Sequence, residues 1–188
     1  MAIEKPRSEV VARYHDFEVR QYPGYIVAET IVEGAADEVG NEGFRRLAGY
    51  IFGKNGGAKK LAMTSPVTQE AKEGTKIAMT APVAQEQRGP RNWQIQFVMP
   101  AAYTLATLPV PDDARVHLRE LGARRLAVIT YSGTWSQSNY QEHLDKLRAG
   151  MQHESLVGIG EPIWARYDPP FKPWFMRTNE ILIEVRSP

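Results

Sequence analysis

Residues able to move a proton or hold an anion gather late in the chain, where Tyr167, Arg177 and Glu180 frame a loop crowded with rings and prolines. Elsewhere such chemistry is sparse. His15 and His117 fall in or near predicted strands, His153 lies near a helix end, and His143 follows Tyr140 by three positions, on or beside an apolar helical face. That last placement suits a packed, hydrogen-bonded imidazole, with an iron or zinc ligand as the alternative. Met63 and Met79 carry soft sulfur that could ligate iron, but their strand setting suits core filler. The chain has no cysteine, which removes disulfides, thiolate metal sites, iron–sulfur clusters and a thiol nucleophile together. Dinucleotide and phosphate loops, HExxH, GxSxG and EF-hand spacing are all missing from the sequence. Gly53-Lys54-Asn55-Gly56-Gly57 lacks the Ser/Thr and following helix that would cradle phosphate, and reads as a helix-ending turn. Asp112-Asp113 lies in a Pro-rich loop and reads as a turn former.

The late loop, Tyr167 to Glu180, combines four aromatics, Met176 and three prolines. Proline stiffens it, so it is either a lid folded onto the core or one wall of an apolar ligand site. Basic side chains collect at Arg45, Arg46, Lys54, Lys59 and Lys60, where they form a solvated rim or meet the carboxylate of a small ligand. With 23 Lys+Arg against 22 Asp+Glu the net charge is +1, and no nucleic-acid partner is expected.

These groups need elements to position them. Residues 17–22 and 25–32 alternate or run apolar around Pro23-Gly24 and predict an antiparallel hairpin. A helix is predicted over 37–52, because Phe44, Leu47, Ala48 and Ile51 recur at helical spacing. Its Gly40, Gly43 and Gly49 each cost about 1 kcal/mol relative to Ala. Gly40 and Gly43 share one side with Leu47 and Tyr50, where a sheet or a flat ligand could approach closely. Lys60–Glu70 recurs as Lys76–Glu86 with 8 of 11 positions identical, each copy reading as a strand that its proline bulges or confines to an edge. Trp93–Phe97 predicts a strand with one wet face, 100–113 a loop, and 116–119 with 126–131 a second hairpin about Gly122. A second helix is predicted over 136–151, with Ser138 and Gln141 at capping-box spacing, and strands close the chain at 163–167 and 181–185.

The order strand, strand, helix, strand, strand thus occurs twice. The arms 20–34 and 119–133 each end in Gly before a helix, 99 residues apart. This predicts one α+β domain over 1–188, with a short extension at about 1–12: pseudo-twofold halves share a barrel-like antiparallel sheet flanked by two helices. The 188 residues are 43% hydrophobic and 24% charged, as in ordinary globular proteins. No signal peptide or membrane span is evident, and the expectation is a soluble cytoplasmic protein.

Residues 17–22, Gly43 to Asn55, the Met-Thr-Ser/Ala-Pro-Val copies and the segment from Tyr167 to Glu180 resemble the SOUL haem-binding protein family, in order, over about residues 10–186. The resemblance implies a distorted antiparallel β-barrel in two pseudo-symmetric halves, like bacterial effector-binding domains of the GyrI type. It also implies a haem or tetrapyrrole groove between the first helix and the late loop. Gln21 stands where some animal members place a proposed iron-ligating histidine, and Asn41 and Gly49 where they place propionate-binding basic residues. Arg45, Arg46 and Lys54 are the available substitutes.

The leading expectation is a non-catalytic tetrapyrrole-binding protein. Its contact set would be Gly40, Gly43, Phe44, Arg45, Leu47, Tyr50, Lys54 and Lys59 with Phe171, Trp174 and Phe175, no residue being assigned to iron, so that haem and iron-free porphyrin are equally compatible. An enzyme acting on a tetrapyrrole through Tyr167, Glu180 and Arg177, and an effector-sensing or protein-interaction module, are the alternatives.

Overall fold

The computed structural model describes residues 4–56 and 74–186. The first copy of the repeat, with Lys59, Lys60 and Met63, lies outside them. Nine strands form one sheet: β1 (Glu9–Arg13), β2 (Glu18–Tyr22), β3 (Tyr25–Glu33), β4 (Val83–Gln87), β5 (Asn92–Val98), β6 (His117–Leu121), β7 (Arg124–Tyr131), β8 (Gly158–Arg166) and β9 (Asn179–Val185). They lie in the order β1-β2-β7-β9-β8-β4-β5-β3-β6, each neighbouring pair antiparallel. Two helices, α1 (Ala36–Ile51) and α2 (Gln137–His153), pack on β3 with β5 and on β7 with β9 respectively. The predicted architecture of two helices flanking a curled antiparallel sheet in two repeated halves is the one observed.

Two expectations about pairing are corrected. Neither predicted hairpin forms. One unbroken register instead runs from Glu18↔Val128 through Tyr22↔Arg124 and Tyr25↔Leu121 to Glu29↔His117. Each arm therefore pairs with the other half's arm, and the linkers 23–24 and 122–123 face each other where both arms bend. A Cβ at Gly24 would sit 3.0 Å from the Leu121 carbonyl, so a side chain there would press on the opposite linker.

Side-chain alternation then assigns the two faces of the sheet. On β7, Ala127, Ile129 and Tyr131 pack under α2 with Leu144, Leu147 and Met151, whereas Leu126 and Val128 face the other way and join Tyr22, Ile163, Ala165 and Leu182. Under α1, Leu47, Tyr50 and Ile51 pack on Ala28, Ile95 and Phe97. The expected wet face of β5 is buried as well, since Gln94 and Gln96 donate to Glu29 Oε2 at 2.7 and 2.9 Å. Pro82 does not interrupt a strand: β4 begins after it at Val83 and is central, paired with both β5 and β8. The cap of α2 is Ser136, whose side chain accepts from the Asn139 N–H, rather than Ser138. Within the expected N-terminal extension, β1 pairs with β2.

Candidate functional site

Because α2 sits over β7 and β9 and α1 over β5 and β3, the central strands β8 and β4 form the floor of a furrow between the helices. Trp164 and Arg166, two apart on β8, share the helix-facing side with Gln85 of β4, which is opposite Trp164 in the ladder. Tyr140 of α2 stacks on Trp164 at 4.1 Å between ring centroids, and the Trp164 indole donates to the Tyr131 hydroxyl at 3.0 Å. Burial raises the pKa of both tyrosines to about 12, keeping them neutral.

Trp135, in the loop entering α2, continues the stack. The Arg166 guanidinium lies 4.6 Å from the Trp164 centroid and 5.1 Å from that of Trp135, and Arg177 lies 4.4 Å from the Trp135 ring. Trp135 is fixed by its indole N–H to Asn179 Oδ1 at 2.8 Å, and Asn179 is itself fully buried. The preceding Gly133 takes φ +118, a conformation that strains other residues, and a Cβ there would meet the Asn139 amide at 2.7 Å.

The late loop, 167–178, is a strap over this end of the furrow. Asp168 closes its neck, accepting from the Thr178 N–H and from Lys172 Nζ, both at 2.6 Å. Arg177 donates to the carbonyls of Lys172 and Pro170. The strap is thus pinned by its own polar groups, while Phe171, Trp174, Phe175 and Met176 are 86, 57, 61 and 57% exposed. Trp174 and Phe175 line a cleft of about 400 Å³ with the 132–136 loop and the first turn of α2, a volume suited to a small molecule. The Gly133 N–H bonds the Trp174 carbonyl at 3.1 Å, tying strap to loop.

The sequence-predicted contact residues divide. Gly43, Leu47 and Tyr50 face the protein's own sheet: a Cβ at Gly43 would fall 2.3 Å from Ile95 Cγ1, Leu47 is fully buried, and the Tyr50 hydroxyl donates to the Pro109 carbonyl at 2.9 Å. Gly43 lets α1 approach the sheet, so the expected pigment face on that side of the helix is corrected. Gly40 is half-buried at the furrow's rim, where a Cβ would lie 3.5 Å from Arg166 Nη1. Phe44 is 40% exposed and meets Phe97 edge to face, Arg45 is exposed and paired with Glu42, and Lys54 is exposed. Lys59 lies outside the described residues. Phe171, Trp174 and Phe175 stand outward and are not folded down on the core as a lid.

Sequence reasoning missed Trp135, Trp164 and Arg166. The i,i+2 spacing of Trp164 and Arg166 within a strand was the available signal. It also missed a second concavity, about 370 Å³, beneath Glu4–Arg7 and lined by Tyr25, Met99 and Tyr103.

Acid–base groups near the strap are engaged with one another. Glu180, 5% exposed, accepts from Arg20 at 2.9 Å and Thr130 at 3.1 Å on one oxygen, and from the Tyr167 hydroxyl at 2.5 Å on the other. Burial and the Glu180 carboxylate push the Tyr167 pKa far up. Burial alone would ease the proton off Arg20, but Glu180, Tyr22 and Glu18 hold its pKa above the ordinary arginine value. The histidines offer the strap no ligand set. His143 Nδ1 meets the Asn139 carbonyl at 2.8 Å and its ring stacks on Tyr131, while His15 and His153 contact Asp16 and Glu154. No cluster of three or more metal-ligating His, Asp or Glu residues occurs among the described residues. Nor is any helix there long and apolar enough to cross a membrane.

Comparison with known proteins gives concordant results. The family profile described as "SOUL heme-binding protein" matches residues 3–184. Heme-binding protein 1 of Xenopus laevis is 29% identical over 171 residues, covering 87% of this chain and 84% of its own, and that of Xenopus tropicalis is 28% identical with the same coverage. The EcmrR C-terminal domain superposes with a TM-score of 0.63 at 9% identity, over 90% of this chain and 96% of its own. A hydrolase from Listeria innocua gives 0.60 at 14% identity, over 94% of both chains. At such identities the likeness is one of fold.

Proposed function

The chain belongs to the SOUL heme-binding protein family, and from that premise we propose that it binds haem or a related tetrapyrrole without transforming it, laying the flat pigment against the aromatic strap. The observation that carries this reading is the exposure of Phe171, Trp174, Phe175 and Met176 on a segment pinned by Asp168 and Arg177. A single apolar side chain in water is ordinary; four on one stiffened strap mark a binding surface. The names of the frog relatives support the ligand class.

Haem, when bound, would supply a planar apolar face and two carboxylates. Covering the strap removes apolar surface from water at roughly 25 cal/mol per Å², so affinity does not require an iron bond. The engaged state of His143, and of Gln21, which donates to the Tyr22 and Arg124 carbonyls, fits that view. A non-catalytic role is supported by Glu180, whose two oxygens are occupied by Arg20, Thr130 and Tyr167, so the best-placed acid–base group is committed to the fold.

Titration with haemin and with iron-free protoporphyrin, followed by Soret absorbance and tryptophan quenching, tests the reading. Saturable binding of both, at similar affinity, is expected; saturation by neither overturns it. Trp174→Ala combined with Phe175→Ala should weaken both about tenfold or more, with an unchanged melting temperature because the side chains are exposed.

A further inference from the structure

We propose that Arg166 is the carboxylate-binding residue of the site: held between Trp135 and Trp164 on the floor of the furrow, its guanidinium receives an acid group of the bound pigment. The inference rests on the tetrapyrrole reading and deepens it.

Six arginines among the described residues are half-buried, and five of them donate to a protein acceptor. Arg20 reaches Glu18 and Glu180, Arg46 Glu42, Arg124 the Tyr25 hydroxyl, Arg125 Gln21, and Arg177 two carbonyls. Arg166 differs. Among the described residues it has no hydrogen-bond or ion-pair partner, and its Nε, like that of Arg124, is buried without an acceptor. The two indoles attract its charge through their ring faces but accept none of its five N–H donors. Its Nε is shut off from water without a partner, which carries a cost, while the terminal nitrogens of this half-buried side chain have no protein acceptor among the described residues and are left for a ligand.

Its surroundings identify that use. Burial lowers the Arg166 pKa, with the Tyr131 hydroxyl opposing it, and no carboxylate among the described residues pairs with the guanidinium, which stays charged at neutral pH. Trp135 and Trp164 contact the guanidinium through their rings and accept no hydrogen bond from it, so its N–H edge, the part that grips a carboxylate with two parallel bonds, has no acceptor among the described residues. Gly40 lies beside that edge, where a Cβ would make ordinary contact, 3.5 Å, with both Arg166 Nη1 and Gln85 Oε1.

The same structure ties this cation to the apolar strap. Arg177, from the strap, stacks on Trp135, and the adjoining Gly133 bonds the Trp174 carbonyl. Anion anchor and aromatic wall therefore share one loop. The ligand they fit has a planar apolar body and an acidic edge.

The test compares protoporphyrin with its dimethyl ester, which keeps the ring and lacks the charges. Wild-type protein should bind the free acid about ten- to a hundredfold more tightly. Arg166→Gln should abolish that preference while leaving ester affinity unchanged, and Arg166→Lys, which keeps the charge without the fork, should retain part of it. Urea unfolding confirms that each variant is folded, and the wild-type comparison of acid with ester needs no variant. Equal wild-type binding of acid and ester, or full preference in folded Arg166→Gln, overturns the inference while leaving the tetrapyrrole reading in place. Failure of the wild type to bind either compound removes that reading and the inference with it.

Discussion

Replacing Gly43 by valine should lower the unfolding free energy by about 3 kcal/mol and the melting temperature by roughly 6–12 °C. The cause is local: the new Cβ would fall 2.3 Å from Ile95 Cγ1 and 2.8 Å from Ile95 Cβ, and a β-branched residue in a central strand has no flexible end to swing aside. Alanine should do less damage, since it recovers about 1 kcal/mol of helix propensity while meeting the same wall. Shortening Ile95 to alanine alongside Gly43→Ala should restore part of the loss, a coupling that a double-mutant cycle measures. Guanidinium or thermal unfolding decides the matter. If Gly43→Ala stabilises the protein, the helix does not rest on the sheet at this point and its glycine face is open to a ligand after all.

Arg20→Met should cost about 3–5 kcal/mol, because it strips the cation from two carboxylates and leaves Glu180 buried without its charge partner. Arg20 and Glu180 expose only 16% and 6% of their side chains, so solvent screens the pair weakly. Tyr167 and Thr130 would go on donating to Glu180, which limits the loss. A compensating Glu180→Leu in the same chain should return part of the stability, since an apolar pair needs no neutralisation. A single-variant loss below about 1 kcal/mol in urea would mean that water already reaches this cluster.

What the sequence disclosed, and what it withheld, follows from the range of each signal. The helices were readable because Leu47 and Ile51, or Leu144, Leu147 and Met151, repeat within a few turns, and burial obeys that period. The doubled order of elements was visible in the matching arms that end at Gly34 and Gly133. Strand partners were not, because Pro23-Gly24 permits a hairpin and a bend alike, and the choice depends on residues a hundred positions away. The wet face assigned to β5 failed for the same reason: nothing near Gln94 and Gln96 announces Glu29, which takes their N–H groups inside the sheet.

The candidate site was half legible. Phe171, Trp174 and Phe175 betrayed themselves by crowding, as rings among prolines do. Gly43 was ambiguous in a way only coordinates resolve, since a bare backbone invites a sheet or a ligand equally. The proposed role of Arg166 was hidden because it rests on the absence of a hydrogen-bond partner among the described residues, which one arginine among many does not advertise in sequence.

The exchanged arms bear on how the chain must assemble. Glu18 and Val128, which lie side by side, are 110 positions apart in the sequence. Neither repeat can complete its border alone: β2 finds its neighbour in the second half and β6 in the first. Closing so wide a loop before the ladder rewards it should make folding slow for a protein of this size. A chain severed in the 100–113 connection should give two fragments that stay unstructured apart and regain the native ladder only when mixed.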